Sequence, residues 1–270
     1  MSFWDHLEEF RWTLIRIIIA VAVLTVVGLI IMPKIFDSVI LAPRSSDFVT
    51  YRFLENASKY IPFMPDFSAE SFNVKILNIN MTTQFMTYIS TSFAFAILFS
   101  IPYILYEIWR FISPALYENE IKGIKTAFGF GGLMFVLGCL VGYFIVFPLI
   151  FRFLITFELS EAIENMISLD SYMSNFYTLI LIMGVVFELP LLCWLLSNLG
   201  LIYRSFFKKY RRHAIVGALV LAALITPSGD PFSLFVVTIP LYLLWEISAL
   251  IVKKDPVEEP EQDIVPTVFE

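Results

Sequence analysis

Charge is scarce in this chain. Of 270 residues only 16% are Asp, Glu, Lys or Arg, against roughly 25% in a soluble domain. Hydrophobic residues make up 59%, and Phe alone occurs 28 times. A soluble fold of this size has too little interior for that much apolar surface, whereas a bilayer is itself an apolar solvent. Histidine is almost absent: His6 and His213 are the only two, and both border apolar runs. The patterns HExxH, GxSxG, GxxxxGK[ST] and GxGxxG are missing, as is any pair of aspartates inside an apolar run. With the motifs of metalloproteases, serine hydrolases and nucleotide-binding proteins lacking, no enzyme activity, catalytic residue, cofactor or metal is expected.

Cysteine is also rare. Cys139 and Cys193 lie inside apolar runs, where free Cys packs as a small hydrophobe, and they make neither a disulfide framework nor a metal motif. No cleavable signal peptide is expected: the start Ser2-Phe3-Trp4-Asp5 is acidic and aromatic, and the first apolar run is too long for a signal core. No internal repeat is visible, which counts against a transporter built from inverted halves. The net charge is −6, and the tail Lys253–Glu270 holds six acids against two lysines. That balance argues against a nucleic-acid partner.

What is present is a series of apolar runs. The expected fold is an all-α integral membrane protein with six transmembrane helices in a concave bundle. The spans are placed at about 14–32, 84–109, 127–148, 172–196, 214–226 and 232–252. Pro33 ends the first, and Pro102, Pro190 and Pro240 lie inside the second, fourth and sixth, as lipid-embedded helices allow. The fifth and sixth are expected to be short. The fifth has only 13 residues, reaching about 20 Å across a core of about 30 Å, so local bilayer thinning is expected there. Residues 1–253 read as one polytopic domain, with an external loop at 33–81 carrying amphipathic helices. Residues 254–270 read as a disordered acidic tail.

The positive-inside rule gives an orientation. With the N-terminus inside, the inner segments hold Arg11, Arg16, Arg110, Lys122, Lys125, Arg204, Lys208, Lys209, Arg211, Arg212, Lys253 and Lys254. The outer segments hold Lys34, Arg44, Arg52, Lys59, Lys75 and Arg152, all but the last in one long loop. Both termini are therefore expected on the cytoplasmic side.

Two places could carry function. Glu188 lies in Val185-Val186-Phe187-Glu188-Leu189-Pro190, about 24 Å from the outer end of the fourth span and about 12 Å from the inner end. A carboxylate at that depth must face protein or water. It is either a polar contact for a bound or translocated partner or a protonated helix–helix hydrogen bond. The second place is the inner surface, where His6-Leu7-Glu8-Glu9-Phe10-Arg11 precedes the first span and Tyr117-Glu118-Asn119-Glu120 follows the second. Carboxylates there could receive the guanidinium groups of a cationic segment, or could simply favour a helix N-terminus.

These residues carry a resemblance to the TatC family, the polytopic subunit of the twin-arginine protein translocase. His6 to Arg11 resembles a HLxELR start. The segment from Pro102 to Glu120, PYILYEIWRFISPALYENE, resembles PxxLYQxWxFIxPALYxxE. Phe187-Glu188-Leu189-Pro190 resembles FExP, and Ile225 to Ser233 resembles a LTPPDxFS turn. Four signatures in order, from His6 to about Lys253, make the likeness specific. It implies a receptor for twin-arginine signal peptides and a core subunit that exports folded proteins using the proton-motive force. It implies a multi-pass protein of the bacterial cytoplasmic (inner) membrane that associates with itself and with single-span TatA-type or TatB-type subunits. Glu9 and Glu120 match the acids that recognise the two arginines. Phe10, Arg11 and Phe111 match other residues of that surface, with Phe10 where Leu is usual. Glu188 matches an intramembrane acid of a concave face, and Pro43 and Asp230 match functional positions on the outer side. Thr226 and Leu234 fall where small partners dock, Leu234 standing in place of a Gln. Glu107 stands where Gln is common. The alternative is a secondary transporter using Glu188 as a proton or substrate site.

Overall fold

The computed structural model describes residues 3–58, 74–112, 118–157, 160, 165–226 and 228–255, with the backbone alone at 3, 57–58, 112 and 118–128. The tail beyond 255, Lys59 and the loop acids and prolines between 59 and 73 lie outside the described residues.

The first helix, α1, runs Phe3–Ile35, about 50 Å at 1.5 Å per residue. That exceeds a bilayer core of about 30 Å, so its first turns, with Glu8, Glu9 and Arg11, extend beyond the apolar run. Backbone hydrogen bonds continue a helix into water as readily as in lipid, which is why α1 begins well before Leu14. Pro33 removes one N–H from the ladder. Directly after it the helix widens into a π-turn, Phe36–Ile40, and then tightens into a 3₁₀ turn, Ala42–Arg44, around Pro43. An amphipathic helix, α2 (Val49–Ser58), follows. It buries Tyr51 and Leu54 and exposes Arg52 and Phe53, as expected for a loop helix lying against the bundle.

α3 (Thr83–Ile112) returns beside α1, and the two form a long hairpin. Gly28 makes the approach possible, since a Cβ there would lie 2.8 Å from the Ser92 carbonyl oxygen. α4 (Glu118–Val141), a second π-turn (Gly142–Val146) and α5 (Phe147–Thr156) make one continuous path, extending past the expected end at Pro148. α6 (Leu169–Val186) and α7 (Leu189–Asn198) form the next path, interrupted at Phe187 and Glu188. α8 (Arg204–Lys209) is a short connector, followed by α9 (Arg211–Ile225) and α10 (Pro231–Ile251).

Five of these paths are long and apolar enough to cross a membrane: residues 4–44, 83–111, 129–156, 169–198 and 231–251. α9 has 15 residues, about 22 Å, so the expected short fifth helix is present. The sixth, α10, has 21 residues, about 31 Å, fewer than the other four long paths; Asp230 and Pro231 start it at once and Pro240 is accommodated without a break.

The core lies where α4, α5, α6, α9 and α10 meet, around Phe135, Val146, Phe147, Leu179, Met183, Ala222 and Val237. Phe147, Phe151, Tyr172 and Phe176 pack edge-to-face and stacked at centroid separations of 5.1 to 6.1 Å, the arrangements favoured by ring quadrupoles. Two ties fix the bundle ends. At the end where α1 starts, Lys253 N donates to Ser197 Oγ and Arg204 N donates to the Lys253 carbonyl, joining α7, α8 and the residues after α10. At the far end Phe153 stacks on Phe232 at 4.2 Å. A two-residue parallel ladder there, β1 (Ile76–Leu77) with β2 (Ile167–Ser168), links the long loop to the start of α6.

Candidate functional site

α1 starts, α3 ends and α4 starts at one end of the bundle, and the structure brings several sequence-predicted residues together there. The His6 ring stacks on Phe111 at 4.3 Å, and the Phe10 ring lies 5.5 Å from Phe111. His6 and Phe10 are four residues apart and so share a helical face; they clasp the final turn of α3. Phe10 remains 47% exposed. Beside this aromatic patch stands Glu9. Arg11 is exposed on the same turn of α1. Glu120 lies in the first turn of α4, where an anion suits the helix dipole, and its side chain falls outside the described residues.

The carboxylate of Glu9 is held in a network. Arg16 Nη2 donates to Glu9 Oε1 at 3.1 Å and to Thr13 Oγ1 at 3.1 Å, while Arg16 Nε donates to Glu107 Oε2 at 2.7 Å. Glu107, on α3, is 2% exposed, whereas Glu9 is 34% exposed. A buried carboxylate needs a cation and hydrogen bonds to offset its lost hydration, and Arg16 supplies both. Oε2 of Glu9 has no partner among the described residues, so a carboxylate edge remains available at the surface.

Arg16 and Glu107 were not singled out from sequence as functional. The available signal was one charge inside each of two neighbouring apolar runs, a pattern that predicts pairing across a helix hairpin. A second missed pair, Arg211 with Glu246 at 2.5 Å, joins α9 to α10, and Tyr242 donates to the same carboxylate at 2.8 Å.

Glu188 sits apart from this surface, in the break between α6 and α7. Its N–H bonds the Val185 carbonyl at 3.1 Å, a tighter turn than the helix before it, and Pro190 removes the next donor but one. Both carboxylate oxygens are buried with no hydrogen-bond partner among the described residues. The side chain packs against Gly131 of α4, where a Cβ would lie 2.9 Å from Glu188 Oε2 and 2.5 Å from Leu191 Cδ2. A Cβ at this position would press on the free ends of both side chains, so one of them would have to shift to admit it.

The remaining predicted residues lie at the far end. Pro43 is buried, and its carbonyl accepts from the Tyr51 hydroxyl at 3.0 Å, which also lies 3.2 Å from the Pro148 carbonyl. Burial holds the Tyr51 hydroxyl well above its ordinary pKa, an effect that Arg152 partly opposes. Asp230 caps α10: its Oδ1 accepts from Ser233 N at 2.8 Å and its Oδ2 from Ser228 Oγ at 2.6 Å. Burial alone would raise this carboxyl, but the bonds from Ser228 and Ser233 outweigh it and hold it below the usual value. Thr226 is buried, with its hydroxyl returned to the Ala222 carbonyl at 2.9 Å. Leu234 is half-buried against the core. Among the described residues, no three His, Cys, Asp or Glu side chains converge in a way that would hold a metal.

A family model for the Sec-independent protein translocase protein (TatC) matches residues 5–240. The chain belongs to the TatC family. A TatC of Blattabacterium sp. subsp. Periplaneta americana is 38% identical over 252 residues, covering 93% of this chain and 94% of that protein. The TatC of Deinococcus radiodurans is 30% identical over 260 residues, covering 96% and 88%. A crystal structure of the twin arginine translocase receptor TatC superposes with a TM-score of 0.69 at 30% identity, over 91% of this chain and 97% of that one. The same receptor in DDM gives a TM-score of 0.69 over 92% and 99%. As a TatC-family protein the chain is a multi-pass, all-α membrane protein of protein transport, and its similarity extends across both the Glu9 surface and the Glu188 break.

Proposed function

We propose that this chain is the receptor and core subunit of a twin-arginine translocase in a bacterial cytoplasmic membrane. In this reading it binds signal peptides of folded cargo through Glu9 and Glu120, with Phe10, Arg11 and Phe111 completing the surface. The observation that carries the proposal is the Glu9 carboxylate, whose Oε2 lacks a partner among the described residues, beside the aromatic patch of His6, Phe10 and Phe111, with Phe10 exposed. A guanidinium can take the carboxylate in a charge-assisted bond, and an arginine or apolar neighbour can lie on the rings. No covalent step is needed.

The receptor reading places residues 1–253 in one membrane domain, with both termini and the tail 254–270 in the cytoplasm. The basic run Lys208, Lys209, Arg211 and Arg212, at the end of α8 and the start of α9, supports that orientation. Self-association and docking of single-span TatA-type or TatB-type subunits near Thr226 and Leu234 belong to the same reading. Glu188 would present a polar point on a concave face, and Pro43 and Asp230 would shape the outer surface. A proton-motive force would drive export.

Purified protein in lipid nanodiscs should bind a twin-arginine signal peptide, and Glu9→Gln combined with Glu120→Gln should weaken binding at least tenfold, the loss of two charge-assisted bonds. In cells, Glu9→Ala or Glu120→Ala should stop export of a twin-arginine substrate while the protein still inserts. Normal export by both single variants and the double would overturn the assignment. Uptake of a small solute by the protein in liposomes would instead favour a transporter centred on Glu188.

A further inference from the structure

We propose that Arg16 is a positioning residue that fixes the Glu9 carboxylate for an incoming guanidinium, and so sets the preference for arginine over lysine at this site. The inference rests on the receptor reading given above.

Side chains on a helix lean toward its N-terminus. From position 16, Arg16 passes Thr13 one turn back and reaches Glu9 two turns back, bonding both at 3.1 Å. The axial separation from Glu9 is about 10.5 Å, a span that needs the full length of an arginine. The guanidinium is fixed at its other edge by Glu107, 2.7 Å from Nε and 2% exposed. Constraint therefore runs from the buried member outward: Glu107 fixes Arg16, and Arg16 Nη2 fixes where Glu9 Oε1 sits.

The pair Arg16 and Glu107 is neutral. It leaves the charge offered by Glu9 unchanged, so its effect on a ligand is orientation rather than attraction. A free Glu side chain has three rotatable bonds, and ordering it on binding costs affinity; here that ordering is already made. The benefit depends on the ligand. Arginine uses a planar fork that needs acceptors in set directions, whereas the lysine ammonium is a point charge with rotatable donors. Loosening Glu9 should penalise arginine more than lysine.

Two variants separate this role from a structural one. Arg16→Lys keeps a cation beside the buried Glu107 but lacks the second edge that reaches Glu9. Arg16→Gln with Glu107→Gln removes both charges together, leaves no buried ion unpaired and keeps Glu9 untouched. Binding of a twin-arginine signal peptide and its Lys-Lys counterpart to the full chain in nanodiscs is the measurement, with thermal unfolding as the check on folding. In both variants the twin-arginine peptide should bind about three- to tenfold more weakly, the cost of ordering one freed side chain on binding. The Lys-Lys peptide should change by less than about twofold on the same grounds, so the ratio falls. An unchanged ratio, or equal weakening of both peptides, overturns the inference while leaving the receptor reading intact. A wild-type protein that binds neither peptide overturns both.

Discussion

At the scale of single residues, the chain separates two kinds of buried acid. Glu107 is satisfied by Arg16 at 2.7 Å, and Glu188 has no partner among the described residues. The first was noted in sequence only as a departure from a family pattern; its partner is 91 positions away, and the one hint of the pairing was a charge inside each of two neighbouring apolar runs. The second was legible at once, since a lone carboxylate in an apolar run has few roles. Removing Glu107 alone should loosen the hairpin: Glu107→Ala takes away one of three acceptors of the Arg16 guanidinium, leaving Glu9 and Thr13, and empties a buried site on α3, read as a lower unfolding temperature in detergent. Asp230 offers a milder test. Its carboxyl is held below the ordinary value, so its stabilising contribution is complete above the unfolded carboxyl pKa. The contribution is lost as pH falls through the folded one. Asp230→Ala should cost about 1 kcal/mol at neutral pH through loss of the α10 cap. The difference from wild type should shrink below about pH 4, measured as unfolding midpoints across a pH series.

At the scale of elements, what sequence reveals is where lipid demands apolar residues, and not where helices end. The six runs all became helical because each is apolar; Pro102 and Pro240 are accommodated without a break, and the fourth run is interrupted at Phe187 and Glu188. Their ends moved outward, as in α1 at Phe3 and α5 at Thr156, since water tolerates a helix that lipid requires. The π-turns at Phe36–Ile40 and Gly142–Val146, the connector α8 and the two-residue ladder have no periodic signature and were not legible. The break at Glu188 was half-legible: Pro190 was noted as a tolerated interior proline, and only the contact with α4 shows which neighbour the acid faces. Gly131→Ala measures how far the Glu188 and Leu191 side chains can give. Its Cβ would meet Glu188 and Leu191 at 2.9 and 2.5 Å, costing about 1–3 kcal/mol if α4 and α7 must separate. A Gly131→Ala protein that unfolds at the wild-type temperature would show that the packing gives way freely.

At the scale of the whole molecule, α9 stands out. It is 15 residues long, against 21 in α10 and 18 plus 10 in the α6–α7 path. Inserting four leucines near its middle would add about 6 Å and bring it to a full crossing. On the translocase reading, that protein should insert and fold but export less, as judged by accumulation of a twin-arginine substrate precursor. The insertion must leave the Arg211–Glu246 bond intact, so it belongs after Gly217. The basic cluster was legible as an anchor for this end of the helix. That Arg211 spends one of those charges on Glu246 was not, because the pairing is set by how α9 and α10 pack.

The shortness of α9 also has an electrical side. A membrane potential is a fixed voltage, and its gradient depends on the thickness over which it falls. Where the hydrocarbon layer matches a helix of about 22 Å instead of about 30 Å, the gradient is steeper by roughly a third. Dipoles and charges beside α9, including the Thr226–Asp230 turn at one end and the Arg211–Glu246 pair at the other, would sit at the two edges of the strongest field along the protein's perimeter. A change in potential would be felt there first.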